Sequence, residues 1–271
     1  MSLVETNWLE KNLNNVKIID CSWHMPLTRR NGLEEYKKQH IPNSIFFDLD
    51  ENSKKNTKLP HMLVQEEDWN NIVSKMGINN TDKVVIYDNS DVISSCRLWF
   101  NLIYFGHNAK LVHVLNGGFQ KWLSENKRVT DQVSGIDNSN YKSLEKKELV
   151  KDKIMIDNNL DVQDFKIIDA RSKDRFHGKI PEPREGLRSG SIRNSFCIPF
   201  NTCLNEDRTF KKKSELEKIF KECLKDLNEK NIVFSCGSGV TACVLALAYS
   251  LINDKYLPCI YDGSWAEYGM I

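Results

Sequence analysis

The sequence predicts an α/β protein built from two tandem copies of one domain, each an open, mostly parallel sheet flanked by helices. Two observations predict this fold. Short apolar strands alternate with helical patterns along the 271 residues, which is typical of parallel sheets covered by helices. Strand and turn sequences also recur in the same order about 150 residues later. A repeat of that length indicates a duplicated domain rather than a solenoid.

Four pairs of matching segments carry the repeat. They are Val16–Asp20 with Lys166–Asp169, His40–Phe47 with Ser191–Ile198, Val84–Asp88 with Ile232–Cys236, and Leu115–Trp122 with Tyr261–Tyr268. Helical patterns lie between them, over Glu66–Met76, Ser95–Phe105 and Ser214–Leu227. A polar stretch poor in large apolar side chains predicts a linker at 128–153. The linker separates an N-terminal domain at 1–127 from a C-terminal domain at 154–271.

Cys236 stands where an apolar strand gives way to a helix. Ile232–Phe234 predicts the strand, and Thr241–Ile252 predicts a buried helix. Gly237 and Gly239 allow the loop between them to curl until its N–H groups point inward, and the helix dipole adds positive charge. A thiolate would be stabilised there and would be a nucleophile. The alternative is a small buried cysteine beside a glycine turn.

The first copy has Asp88 at the position that corresponds to Cys236. A carboxylate cannot serve as a sulfur nucleophile. We therefore expect the first domain to be inactive in thiol chemistry, and the second to carry the site at the carboxyl ends of its strands.

Composition and charge exclude several classes of function. With 38 basic and 37 acidic residues, no net field would attract nucleic acid or a membrane surface. The eight cysteines form no C-x-x-C pair, which indicates reduced thiols and argues against a zinc ribbon or a thioredoxin-type pair. The start of the chain matches no targeting peptide, and no apolar stretch approaches the roughly 20 residues of a membrane span. A cytoplasmic location is therefore expected.

Several longer motifs resemble the two-domain sulfurtransferases of the rhodanese superfamily, over nearly the whole chain. The run Cys236–Ala242 (CGSGVTA) is similar to the active-site loop of the family's 3-mercaptopyruvate sulfurtransferase branch, and Asp169–Gly186 is similar to its substrate-binding segment. Further matches are Phe46–Asp50, His61–Leu63 and Tyr261–Trp265. One departure is Gly190–Asn194 (GSIRN), where the family usually has Gly-His-Ile-Pro-Gly. We expect a local difference in that turn.

The resemblance implies an enzyme that takes sulfur from a small donor as a persulfide on Cys236, without a metal or an organic cofactor. Arg175 and Arg184 would bind the carboxylate and ketone of the donor. Backbone N–H groups would hold the persulfide, namely those of Gly237, Ser238, Gly239, Val240, Thr241 and Ala242. The sulfur acceptor would be a thiol such as reduced thioredoxin, or cyanide in vitro.

The resemblance also implies a Ser-His-Asp relay made of Ser238, His61 and Asp50, which would protonate the enolate that the donor leaves behind. Two of these residues come from the inactive first copy. Taken singly, a histidine in a loop and an aspartate beside Glu51 are equally typical of an ordinary surface.

The residues after the cysteine favour mercaptopyruvate over thiosulfate. Rhodaneses that use thiosulfate usually carry basic residues there, as a doubly charged anion requires, whereas Gly237 and Ser238 are neutral. The alternatives are a thiosulfate sulfurtransferase and a non-enzymatic sulfur-binding or interaction protein. A cysteine phosphatase or arsenate reductase would need an arginine where Ala242 stands, and no Walker-type phosphate loop occurs.

Overall fold

Two sheets of parallel strands, each with its own helices, make up the computed structural model, which describes residues 2–133 and 135–271. The chain divides into two units, the first formed by residues 1–55, 63–146 and 206–209 and the second by residues 56–62, 147–205 and 210–271. The predicted fold class is confirmed. The predicted linker at 128–153 is shared between the two units, and Met1 and Ser134 lie outside the described residues.

The sheet of the first unit has, in the described part of the chain, five strands in the order β1-β5-β4-β2-β3. The strands are β1 (Leu3–Val4), β2 (Lys17–Asp20), β3 (Ser44–Phe46), β4 (Val84–Tyr87) and β5 (Val112–Leu115). The helices are α1 (Thr6–Lys11), α2 (Gly32–Lys38), α3 (Glu66–Lys75), α4 (Ser95–Tyr104) and α5 (Gly118–Ser124). Neighbouring strands are all parallel, with Asp20 at the end of β2 level with Tyr87 at the end of β4.

The second unit repeats this order as β6-β10-β9-β7-β8 over its described residues. The strands are β6 (Val150–Lys151), β7 (Lys166–Asp169), β8 (Phe196–Cys197), β9 (Ile232–Ser235) and β10 (Ile260–Tyr261). The helices are α6 (Lys153–Val162), α7 (Lys173–Phe176), α8 (Lys213–Lys221), α9 (Ala242–Ser250) and α10 (Ser264–Tyr268). Asp169 pairs with Ser235, so the carboxyl ends of β7 and β9 meet at one edge of the sheet, where ligands of such sheets bind.

The central strands form because they are apolar on both faces. All four residues of β9 are buried, as are all four of β4, as expected for a sheet covered by helices on both sides. Helix α9 is buried from Ala242 to Tyr249, in agreement with its apolar composition all round. The predicted strand and helix that flank Cys236 are therefore present.

The departure at Gly190–Asn194 lies in a turn that both copies share. Asn194 has a φ of 63° and Asn43, its counterpart, a φ of 65°. The residue after each asparagine donates its N–H to an isoleucine carbonyl three residues earlier, at 3.2 Å in the second unit and 3.1 Å in the first. Asparagine adopts left-handed backbone more readily than most residues with a side chain. The two repeats thus use one turn geometry before the strand.

A buried aspartate ends β2 in the first unit and β7 in the second, but its partners differ. Arg171 binds Asp169 in the second unit, with Nε 3.1 Å from Oδ1 and Nη2 2.7 Å from Oδ2. In the first unit Ser22 stands at the corresponding place and donates its N–H and hydroxyl to Oδ1 of Asp20, at 2.9 and 2.5 Å. Burial outweighs these hydrogen bonds and raises the pKa of Asp20 to about 7.

Replacing Asp20 by asparagine should remove a pH dependence of stability. The folded-state pKa is about 7, above the ordinary value of 3.8, so the stabilisation is complete below pH 3.8 and is lost as the pH rises through 7. The Asp20→Asn variant keeps an oxygen for Ser22 but cannot ionise. Between pH 4.5 and 7.5 the wild type should lose about 3 kcal/mol of unfolding free energy relative to the variant, measured by urea denaturation. A difference that does not change with pH would contradict this.

Candidate active site

A tight loop joins β9 to α9 and carries Cys236 at its first position. The residue is 2 % exposed. Gly239 has a φ of 75°, in the left-handed region that glycine adopts without steric cost. The chain therefore reverses within a few residues, and α9 begins directly after the loop, as the sequence predicts.

The amides of this loop fall into two groups. Those of Cys236 and Gly239 donate to the hydroxyl oxygen of Ser264, at 3.2 and 3.1 Å. Five others have no acceptor in the part of the chain that the structure describes, namely those of Gly237, Ser238, Val240, Thr241 and Ala242. Clustered amides without acceptors are donors available to a bound anion.

Two arginine side chains converge on Gly237. A Cβ at this residue would lie 3.2 Å from Nη2 of Arg175 and 3.5 Å from Nη1 of Arg184. Arg184 also donates from Nη2 to the Ser238 hydroxyl at 3.4 Å. A Cβ at residue 237 would be tight against Arg175 and in ordinary contact with Arg184. The pair supplies planar donor groups next to the cysteine, which suits a carboxylate or another oxyanion.

A buried carboxylate positions Arg175. The Glu182 side chain is 1 % exposed and accepts from Nη2 and Nε of Arg175, at 2.5 and 3.3 Å, and from Nη1 of Arg171, at 2.7 Å. Arg171 stacks on Trp265, with its guanidinium carbon 4.4 Å from the ring centroid. Burial would lower the pKa of Arg171, but Asp169 and Glu182 together raise it above its usual value. The arginine therefore stays charged and the network stays intact.

His61 and Ser238 also meet in the second unit. His61 Nδ1 lies 3.0 Å from Ser238 Oγ, and both side chains are buried. His61 has a φ of 61°, a conformation that is costly for a residue with a Cβ and often marks a functional constraint. Although the first repeat encodes it, the segment 56–62 belongs to the second unit. The distance permits proton exchange between the imidazole and the hydroxyl.

Asp50 lies in the first unit. Its Oδ2 accepts the indole N–H of Trp23 at 2.8 Å. Its part in a relay with His61 and Ser238 stays a prediction.

The corresponding loop of the first unit is organised by Asp88. The carboxylate accepts the N–H of Ser90 at 3.0 Å and that of Ser95 at 2.7 Å, and Nη2 of Arg208 lies 4.0 Å away. Burial raises the pKa of Asp88. The carboxyl group of Asp88 thus accepts two amides of this loop, where the second unit has a cysteine.

Three residues of the site were not singled out by the sequence analysis: Arg171, Glu182 and Ser264. Arg171 and Glu182 are charged residues inside the segment that resembles a substrate-binding motif, and a charge two residues after a buried strand could have pointed to Arg171. For Ser264 the available signal is the repeat itself, because Gly118 stands at the same place in the first copy.

Two further features concern the described residues as a whole. Among them no group of three or more His, Cys, Asp or Glu side chains could hold a metal ion. None of the described helices combines the length and the apolar composition that a bilayer crossing requires.

Known proteins share this fold. Residues 5–125 and 152–270 match the family model of the rhodanese-like domain. A thiosulfate/3-mercaptopyruvate sulfurtransferase of Arabidopsis thaliana is 38% identical, with 98% of this chain and 75% of the relative covered. The 3-mercaptopyruvate sulfurtransferase of Mus musculus is 35% identical, with 99% and 92% covered. A 3-mercaptopyruvate sulfotransferase structure from Escherichia coli has a TM-score of 0.87 at 28% identity, with 98% and 100% covered.

Replacing Glu182 by glutamine should destabilise the second unit. The change keeps the shape of the side chain but leaves Arg171 and Arg175 with one carboxylate fewer, in a place that water does not reach. Removing one partner from a buried ion network typically costs about 3 to 5 kcal/mol. We expect a loss near the lower end of that range, since Asp169 still binds Arg171, measured by urea denaturation. The exposed Glu185 in the same segment is the control, and equal stability of the two variants would contradict the analysis.

Proposed function

The chain belongs to the rhodanese family of sulfurtransferases, and we propose that 3-mercaptopyruvate is the donor whose sulfur it takes onto Cys236. The convergence of Arg175 and Arg184 on Gly237 carries the proposal. The two cations stand beside the cysteine loop rather than within it. A carboxylate next to a ketone offers two planar acceptors that two guanidinium groups can hold side by side.

Thiosulfate is the second candidate donor, because the Arabidopsis relative carries both donors in its name. Its two negative charges lie close together at the atoms next to the transferred sulfur. The neutral residues Gly237 and Ser238 supply no side-chain cation there, which favours the singly charged carboxylate of mercaptopyruvate.

The first half of the reaction moves one sulfur atom to the enzyme. The Cys236 thiolate attacks the sulfur of mercaptopyruvate, an S–S bond forms, and the C–S bond breaks with its electron pair on carbon. The product is the enolate of pyruvate, and the proton of the donor thiol balances the charge when it arrives on that carbon. Ser238, whose hydroxyl lies 3.0 Å from Nδ1 of His61, would carry this proton, with Asp50 as the third member that the resemblance implies for the relay.

The second half returns the cysteine to its starting state. The persulfide is an anion, and the five loop amides without acceptors are the donors that would hold its charge. An acceptor thiolate attacks the outer sulfur, and the Cys236 thiolate leaves. We propose a reduced thiol such as thioredoxin as the acceptor, whose second thiol would release the sulfur as sulfide. Cyanide would take the same sulfur as thiocyanate.

A mass measurement tests the proposed donor and nucleophile together. Mixed with mercaptopyruvate and no acceptor, the wild-type chain should gain one sulfur atom on the peptide that contains Cys236, and the Cys236→Ser variant none. Cys243→Ser, which removes a buried thiol in the helix that follows the loop, is the matched control and should still gain sulfur. In steady state, kcat/KM should be at least about tenfold higher with mercaptopyruvate than with thiosulfate. Equal values would transfer the assignment to thiosulfate.

The proton relay predicts a difference between donors. Replacing His61 by alanine should slow pyruvate release from mercaptopyruvate by roughly 10²-fold, the usual scale for loss of acid–base help. Sulfur transfer from thiosulfate should change little, because sulfite leaves without a proton on carbon. The surface residue His177, changed to alanine, is the control. Equal losses with both donors would indicate damage to the fold, and no loss with either would exclude the relay.

A further inference from the structure

Ser264 occupies a backbone position that the first unit gives to glycine. The residues after it show the equivalence, because Trp265 donates its N–H to the carbonyl of Cys236 and Phe119 donates its N–H to the carbonyl of Asp88, both at 2.9 Å. Gly118, before Phe119, is therefore the counterpart of Ser264. The same strand-end contact fixes both positions.

The two positions share a left-handed backbone but not a side chain. Gly118 has a φ of 58° and Ser264 a φ of 49°. Glycine adopts this conformation without steric cost, whereas in serine the Cβ makes it unfavourable. A Cβ at Gly118 would lie 2.6 Å from the carbonyl oxygen of Asp88. Of the two units, only the second has a residue with a Cβ in this strained conformation. Backbone strain of this kind is found mainly at functional sites.

The hydroxyl of Ser264 makes three hydrogen bonds, and the residue is 0 % exposed. It donates to the carbonyl of Tyr261 at 2.8 Å and accepts the N–H groups of Cys236 and Gly239. The oxygen thus joins the first and fourth residues of the loop from outside it. Since a donated proton points at Tyr261, both lone pairs are directed to the loop.

The first unit closes its loop in a different way. There the carboxylate of Asp88 accepts two amides of its own loop, those of Ser90 and Ser95. Cys236 offers no oxygen for this purpose, and its sulfur has to remain available to the donor. A loop with a cysteine at its first position therefore needs an acceptor from elsewhere.

We infer that Ser264 is a positioning residue of the sulfur-transfer site. Its hydroxyl holds the Cys236 loop in the curled form and satisfies two amides, so that the five others remain for the sulfur anion. It touches neither donor nor sulfur and acts through the loop. This inference rests on the proposed function only for the identity of the anion.

Two variants separate positioning from folding. Ser264→Ala removes the hydroxyl and keeps the strained Cβ, whereas Ser264→Gly removes both. The glycine variant should have the higher thermal midpoint of the two, because it matches the backbone. Both should lose kcat with mercaptopyruvate by about tenfold or more, the scale seen when a donor set at an anion is disturbed. The donor KM should stay within about twofold, since Arg175 and Arg184 are untouched.

A second readout does not depend on the donor. The rate at which iodoacetamide alkylates Cys236, followed by peptide mass spectrometry at pH 7.5, should fall by about tenfold in both variants, because a less organised loop directs fewer amides at the sulfur. Ser195→Ala is the matched control, since its hydroxyl also donates to a backbone carbonyl, that of Ile192 at 2.6 Å. It should keep the wild-type rates.

The outcomes distinguish the inference from the proposed function. An alkylation rate in the Ser264 variants that equals or exceeds that of the wild type overturns the inference, as does a Ser264→Gly variant with full kcat. A wild type that gains no sulfur from mercaptopyruvate overturns the proposed function. A tenfold loss of alkylation in that case would still support the positioning of the loop.

Discussion

Amide groups that gather where a parallel strand turns directly into a helix must find acceptors, and this requirement governs the organisation of both units. Buried N–H groups without partners are costly. In the first unit the carboxylate of Asp88 accepts two of these amides, and the hydroxyls of Ser22 and Ser90 accept two more. In the second unit Ser264 meets part of the requirement and leaves the rest to whatever anion forms at Cys236. The same fold thus has a loop whose amides are accepted by side chains in the first unit, and a loop with amides available to an anion in the second.

The two units also differ in how the buried aspartate near this loop is compensated. The aspartate at the end of β2 and its counterpart at the end of β7 are both buried, but only the second unit provides an arginine, Arg171, beside it. That arginine brings a second carboxylate, Glu182, into the interior, and Glu182 in turn fixes Arg175 next to Gly237. Since Ser22 replaces the arginine in the first unit, the buried carboxyl there has no cation beside it, and burial raises its pKa to about 7.

The sequence predicts the features that depend on local pattern. The strand Lys166–Asp169 has the bounds that its apolar run indicates, and the repeat order predicts the matching sheet orders. Helix α8 ends at Lys221, before the predicted Leu227. Its continuation is replaced by a turn in which the Asp226 carboxylate accepts the N–H of Asn228 at 2.8 Å. Side chains that cap a turn compete with the helix, and hydrophobic periodicity does not report that competition.

Contacts between distant residues are the part that local pattern could not supply. His61 and Ser238 are 177 residues apart, and only the resemblance to a known family joined them before the structure did. The hydroxyl of Ser264 reaches Cys236 across 28 residues, and nothing in the sequence around either residue specifies that bond. A sequence motif can include a serine without indicating which atoms its hydroxyl contacts.

The internal duplication shows why the sulfur chemistry is not a property of the cysteine alone. At three corresponding places the units differ together: Ser22 against Arg171, Asp88 against Cys236, and Gly118 against Ser264. A cysteine at residue 88 would remove the carboxylate that Ser90 and Ser95 depend on. A serine at residue 118 would then be needed to close the loop, yet its Cβ would crowd the carbonyl of residue 88 at 2.6 Å. Both changes are unfavourable on the backbone of the first unit, which is a physical reason for its loop to keep Asp88 and Gly118.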